Sequence, residues 1–257
     1  MTQKKSDTPS LEMLLRSLRL PRFVEYREEA SRRAEKEGWS HERYLYHLVE
    51  QECAERERSR TERLLKQSGL PKDKTLGTLN MERFPDKIRR QIPVLCDGGF
   101  VDRAENVLAF GLPGRGKTHL LSAVGYELIA RGYSVLFVPT FKLVQRLLVA
   151  KRELALEAEL RKLDRYDVVF LDDIGYIQQD RDEMEVLFTF LGERYERRSV
   201  MITSNLVFSQ WDRIFKDTLT TASAIDRVVH HSTIIEVNLK KSYRAEEAQK
   251  RAADGSK

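Results

Sequence analysis

Cysteine is nearly absent. Cys53 and Cys96 are the only two and stand far apart in the chain. That argues against a disulfide scaffold and against a cysteine-built zinc site, and points to a reducing, cytoplasmic setting. Long apolar runs are missing too. Nowhere do 18 apolar residues follow one another, so no membrane span and no membrane partner are expected. The opening MTQKKSDTPS is basic but lacks the apolar stretch of a secretory signal. No period of 20 to 50 residues recurs, which argues against a solenoid. A strong excess of one charge sign is also lacking. The 45 Lys and Arg are offset by 40 Asp and Glu, leaving +5, a balance that permits nucleic-acid binding without demanding it.

Glycine is scarce at one end. Residues 10–68 contain only Gly38 and are rich in Glu, Arg and Leu. Leu11, Leu14, Leu15 and Leu18 recur at helical spacing behind a capping Ser10. Pro21 suits a helix start and Gly38 a helix end, and Ser40 opens a third helix without a complete capping box. A small all-helical domain over 1–70 follows. Residues 71–104 hold Pro71, Pro85, Pro93 and Gly98-Gly99 and read as a connector wrapping over what comes next. From 105 to 244 the pattern alternates. Apolar runs NVLAF, YSVLFV, DVVFL, SVMITSN and STIIEVNL are separated by helical stretches, which predicts an α/β fold: a five-stranded, mostly parallel sheet with helices on both faces. The tail 245–257 has no apolar content to bury and reads as disordered.

The chemistry concentrates in Gly111-Leu112-Pro113-Gly114-Arg115-Gly116-Lys117-Thr118, which fits G-x-x-x-x-G-K-[ST] at every position, with a strand before it and an amphipathic helix after. Glycine lets the loop turn its amides inward around phosphates, and the following helix aims its N-terminus at them. Lys117 then neutralises the β/γ oxygens of ATP and the Thr118 hydroxyl ligates Mg²⁺. His119 lies in the same helix start, either at the nucleotide or simply packed. In VVFLDDIG a buried strand ends in Asp172, a metal-organising carboxylate, and Asp173, which would orient and deprotonate the attacking water. YSVLFV lies between the two motifs, which predicts an extra strand between them in the sheet.

Thr203, Ser204 and Asn205 form a polar tip on the next strand. Asn205 reads as a γ-phosphate sensor, or else as an ordinary turn residue. Arg227 reads as an arginine supplied in trans to the γ-phosphate, or else as a surface ion pair with Asp226. His230 and His231 are neighbours, expected to point apart and so not to share a metal.

Together these pieces resemble the IstB-like transposition helper ATPases of insertion sequences, relatives of the DnaC helicase loader and the DnaA initiator. The resemblance rests on LLRSLRLPRFVEYREEA, ENVLAFGLPGRGKTHLLSAVGYELIARGY, YDVVFLDDIGYI, ERYERRSVMITSNLVFSQWDRIFKD, AIDRVVHHS and KSYR. It implies a P-loop AAA+ module without the C-terminal helical lid and an N-terminal domain for partner binding or oligomerisation. It further implies ATP-dependent self-association on double-stranded DNA and delivery of that DNA to an IstA-like transposase. By the same resemblance Lys117 and Thr118 are Walker A, Asp172 and Asp173 are Walker B, and Asn205 is sensor 1. Arg227 becomes the arginine finger, and Arg244 stands in the place of a second sensor.

One departure from the family is visible: Asp173 stands where Glu is usual. One methylene is lost, which implies slow turnover. The segment 141–165 reads as a helix with one core face. On it Lys142, Arg146, Lys151 and Arg152 serve either as a solvated face or, by analogy with initiator and loader helices, as DNA phosphate contacts. A helicase loader of the DnaC type is the rival function, and a small-molecule kinase a third.

Overall fold

The computed structural model describes residues 10–176, 181–206 and 228–237. The chain divides into two compact units, 1–63 and 64–257. In the first unit, local signals set the helices. The Ser10 hydroxyl accepts the Met13 N–H at 3.3 Å and opens α1 (Leu11–Ser17). Pro21 begins α2 (Pro21–Glu37), and left-handed Gly38 ends it at φ 64°. Ser40 accepts the Arg43 N–H at 3.2 Å at the start of α3 (His41–Ser68). Apolar burial in this unit is slight, with Ala30 and Leu48 the buried apolar residues among those described. Polar ties supply what the small core does not: buried Glu52 accepts the Arg22 N–H at 2.9 Å, and the Arg22 guanidinium pairs with Glu55 at 3.0 Å.

The second unit is built on a sheet of five parallel strands: β1 (Asn106–Phe110), β2 (Val135–Pro139), β3 (Val168–Asp172), β4 (Ser199–Ser204) and β5 (Ser232–Glu236). Their order is β2-β3-β4-β1-β5. The extra strand expected between the phosphate-loop strand and the acidic strand is present, but it is β4. YSVLFV, the run between the two motifs in sequence, forms β2 at the sheet edge. Neighbourhood in a sheet is set by crossover connections, which sequence order does not reveal.

The central strands are buried on both faces. Val107, Ala109, Val168 and Phe170 point to one side, Leu108, Phe110, Val169 and Leu171 to the other. On the first side lie α4 (Asp86–Cys96) and α6 (Lys117–Ala130), through Ile88, Ile92, Leu121 and Leu128. On the second lie α7 (Thr140–Arg152), α8 (Leu156–Leu163) and α9 (Arg181–Arg194), through Leu143, Leu147, Leu163, Leu187 and Phe190. Residues 71–104 thus carry defined structure. Two 3-10 turns, Leu76–Thr78 and Met81–Arg83, lead into α4 and the short α5 (Gly99–Asp102), and Leu79, Phe84 and Phe100 are buried in the same core.

The single helix expected over 141–165 is two helices. Leu154 adopts φ 55° and is 97% exposed, and the Ala155 N–H returns to the Ala150 carbonyl at 2.8 Å. That turn swings Leu163 into the core and brings Glu159 of α8 to Arg146 of α7. At the amino edge of the sheet the buried Arg194 guanidinium donates to the carbonyls of Leu163, Tyr166, Asp167 and Ser199 at 2.9–3.1 Å. It pins the starts of β3 and β4 side by side, and burial pulls its pKa down to about 10.

Candidate nucleotide site

Parallel strands of this kind expose a crevice at their carboxyl ends. Here the loop after β1, the end of β3 and the tip of β4 meet around a cavity of about 410 Å³, large enough for a small-molecule ligand. The loop has the backbone its glycines predict. Gly111, Gly114 and Gly116 take φ of 148°, 75° and 88°, and a Cβ on Gly111 would lie 2.4 Å from the Val237 carbonyl oxygen. Gly116 caps α6, so the first amides of that helix face the cavity with the positive end of its dipole.

Lys117 is buried. Its ammonium donates to the carbonyls of Gly111 at 2.7 Å and Leu112 at 3.0 Å, and to Asn205 Oδ1 at 2.7 Å. The Asn205 amide in turn donates to Asp173 Oδ2 at 2.7 Å. The cation expected at the phosphates and the carboxylate expected at the water are therefore joined through one amide. The Thr118 hydroxyl donates to Asp172 Oδ1 at 2.8 Å. Asp173 itself sits at φ 61°, a left-handed backbone that Asp tolerates better than most residues. Burial pushes its carboxyl above the ordinary value, and the Asp172 charge pushes the same way. Lys117, the Asn205 bond and the Gly175 N–H pull it back.

The residues suit a magnesium triphosphate. A hydroxyl and a carboxylate supply the hard oxygen donors that Mg²⁺ prefers. Asp173 Oδ1 and Arg115 Nη1 are both buried without a hydrogen-bond partner among the described residues, so an acceptor and a cationic donor await a partner there. Pro113 and Gly114 complete the wall beside Lys117 and Thr118.

Sequence alone did not reveal the opposite wall. Asp73, Lys74 and Thr78 of the supposed connector line the cavity, while Thr203, which also lines it, belongs to the polar tip read from the sequence. The Thr75-x-x-Thr78 pair, which closes a reciprocal cap on its own turn, was the available local signal.

Other expected residues fall elsewhere. Arg227 and Arg244 lie outside the described residues, as does the tail 245–257. On α7, Lys142 and Arg152 are exposed, Arg146 is paired with Glu159, and Lys151 is paired with Asp182 at 3.4 Å and Glu185 at 2.9 Å. His230 and His231 do not point apart. Their rings meet edge to face at 4.2 Å, with His231 3.5 Å from Glu196. Among the described residues no group of three or more His, Cys, Asp or Glu is arranged to hold a metal.

A family model described as IstB-like ATP binding protein matches residues 13–252. An insertion-sequence ATP-binding protein of Sinorhizobium fredii is 42% identical over 243 residues, covering 94% of this chain and 81% of that protein. The IS21 ATP-binding protein of Pseudomonas aeruginosa is 36% identical over 241 residues, covering 93% and 90%. Among solved structures, DnaI aligns with a TM-score of 0.55 at 20% identity, over 66% of this chain and 95% of that one. AMPPCP-bound DnaA from Aquifex aeolicus aligns at 0.54 with 19% identity, over 73% and 57%. These likenesses in structure speak to the fold.

His119 joins the two walls. Its Nε2 donates to the Thr75 carbonyl at 3.2 Å and lies 3.1 Å from the Thr78 hydroxyl. Burial lowers its pKa below 6.5, the Thr75 bond opposes this, Lys74 lowers it further and Asp73 raises it. With the folded value below the unfolded one, protons favour the unfolded chain. Stability falls as pH drops through about 6.5 and levels off below the folded pKa. Thermal melts at about pH 7 and about pH 5 should therefore show a larger loss for the wild type than for His119→Gln. Equal losses would contradict the half-buried neutral imidazole.

Proposed function

The chain belongs to the IstB-like ATP-binding protein family, and from that membership we propose that it is an ATP-hydrolysing AAA+ helper of transposition. It would assemble on double-stranded DNA in the cytoplasm and hand that DNA to a partner transposase. The observation that carries this reading is the meeting of the phosphate loop with the acid pair: Thr118 Oγ stands 2.8 Å from Asp172 Oδ1, and Lys117 is joined through Asn205 to Asp173. The insertion-sequence names of the relatives support the transposition setting. No helix among the described residues is long and apolar enough to cross a membrane.

The proposed chemistry follows from the bonds present. The Lys117 ammonium gives up Asn205 for a γ-phosphate oxygen, which releases the Asn205 amide to hold the water and Asp173 together. Asp173 Oδ1 accepts the proton of that water. Thr118 and Asp172 are the groups that would hold Mg²⁺, which when bound offsets charge on the β/γ oxygens. Arg227 of a second copy supplies the last positive charge, so hydrolysis needs a junction between copies. Arg244 is proposed as a second sensor on the family resemblance alone.

On α7, Lys142 and Arg152 are the leading phosphate contacts, while Arg146 and Lys151 would have to exchange their carboxylate partners for DNA. The result is backbone-directed, salt-sensitive binding. Residues 1–70 are proposed as the partner-binding or self-association domain. Because Asp173 is a short base, turnover is slow and ATP acts as a switch.

Sizing the full chain with ATP, ADP or no nucleotide, each with and without duplex DNA, tests the assembly. The largest species is expected with ATP and duplex, and Arg227→Ala should lose both that species and hydrolysis. One size under all conditions, or an Arg227→Ala protein unchanged in both respects, would overturn it. For the switch, Asp173→Glu should raise the single-turnover rate at least about tenfold by restoring reach. No gain would remove the short-base explanation.

A further inference from the structure

The acid pair is held from a third strand, by a residue that neither motif contains. Thr203 lies on β4, between the phosphate-loop strand and the acidic strand, opposite Ala109 of β1 and one step beyond the Ile202–Leu171 pair with β3. It is 1% exposed. A threonine hydroxyl has one proton to give and lone pairs to receive, and both capacities are used here. Thr203 Oγ1 donates to Asp172 Oδ1 at 2.7 Å and accepts the Asp173 N–H at 2.8 Å.

These two bonds act on different problems. The first, with the Thr118 bond to the same oxygen at 2.8 Å, fixes the rotation of the Asp172 carboxylate from a helix start and a strand at once. The second holds the N–H of a residue in a left-handed conformation at φ 61°, which sets where the Asp173 side chain leaves the backbone. β-branching restricts the Thr203 side chain to few rotamers, so the hydroxyl needs no other restraint.

We propose that Thr203 is a positioning residue that aligns both carboxylates for the metal–triphosphate, acting through Asp172 and Asp173 without touching the nucleotide. The inference rests on the ATP and Mg²⁺ reading of the site. Loss of the hydroxyl with shape kept should cost metal-dependent affinity and leave the phosphate loop intact. A hydroxyl retained on a smaller side chain should preserve it.

The test compares wild type, Thr203→Val and Thr203→Ser as full chains, titrated with a non-hydrolysable ATP analogue in EDTA and again with increasing Mg²⁺. Thr203→Val should bind the analogue like wild type in EDTA but require about 10- to 100-fold more Mg²⁺ for the metal-dependent gain. Thr203→Ser should behave as wild type. If Thr203→Val fails to fold, Thr203→Ala takes its place in the same comparison. A Mg²⁺ requirement unchanged in the hydroxyl-less variant overturns the inference, as does an equal loss in EDTA and in Mg²⁺, which would mark a merely structural role. Absence of any Mg²⁺-dependent gain in the wild type would instead sink the underlying reading of the site.

Discussion

Two carboxylates on consecutive residues at the end of a buried strand repel one another and lose hydration together, and a fold that keeps them there has to supply donors. Asp172 and Asp173 receive theirs from two separate parts of the chain, the start of α6 and the end of β4. Thr118 comes from the start of α6, Thr203 from β4, and Lys117 reaches Asp173 by way of Asn205. None of these partners is local to the acids. They arrive only if β1, β4 and β3 lie in the observed parallel register, with Phe110 beside Ser204 and Leu171 beside Ile202. The site is thus a consequence of the sheet, and the two helical layers matter to function because they hold that register.

The same dependence explains what could be read from residues alone. The central strands were legible because burial on both faces demands unbroken apolar runs, and NVLAF and VVFL have no other use. The phosphate loop was legible because its glycines answer a backbone requirement that few other residues meet, as the clash awaiting a Cβ at Gly111 shows. The place of β4 between the two motifs was not legible, since strand order is a property of crossovers. Nor was the wall formed by Asp73, Lys74 and Thr78, which reaches His119 across more than forty residues of chain. The break at Leu154 was missed because the periodicity of leucines continues through it. Only the left-handed residue shows that two helices, not one, carry that pattern.

The helical unit of residues 1–63 presents the opposite balance. Its helix ends are where Ser10, Pro21, Gly38 and Ser40 place them, so capping chemistry sufficed. Its buried apolar content is small, and Glu52 and Glu55 with Arg22 tie its helices instead. The part-exposed Arg22–Glu55 pair adds little stability by itself, and buried Glu52 holds the start of α2 through the Arg22 N–H. A unit held this way is suited to adapt to a partner surface, in agreement with the role proposed for it.

In the second unit every proposed step begins with Lys117 exchanging a protein acceptor for a phosphate oxygen. The most direct measurement is an equilibrium titration of the full chain with ATP in Mg²⁺, set beside the same titration of Lys117→Met. A charge-assisted hydrogen bond of this kind is worth roughly tenfold to a hundredfold in affinity, and a loss of that size is the expected result. Equal ATP affinity in the two proteins would contradict the account at its root.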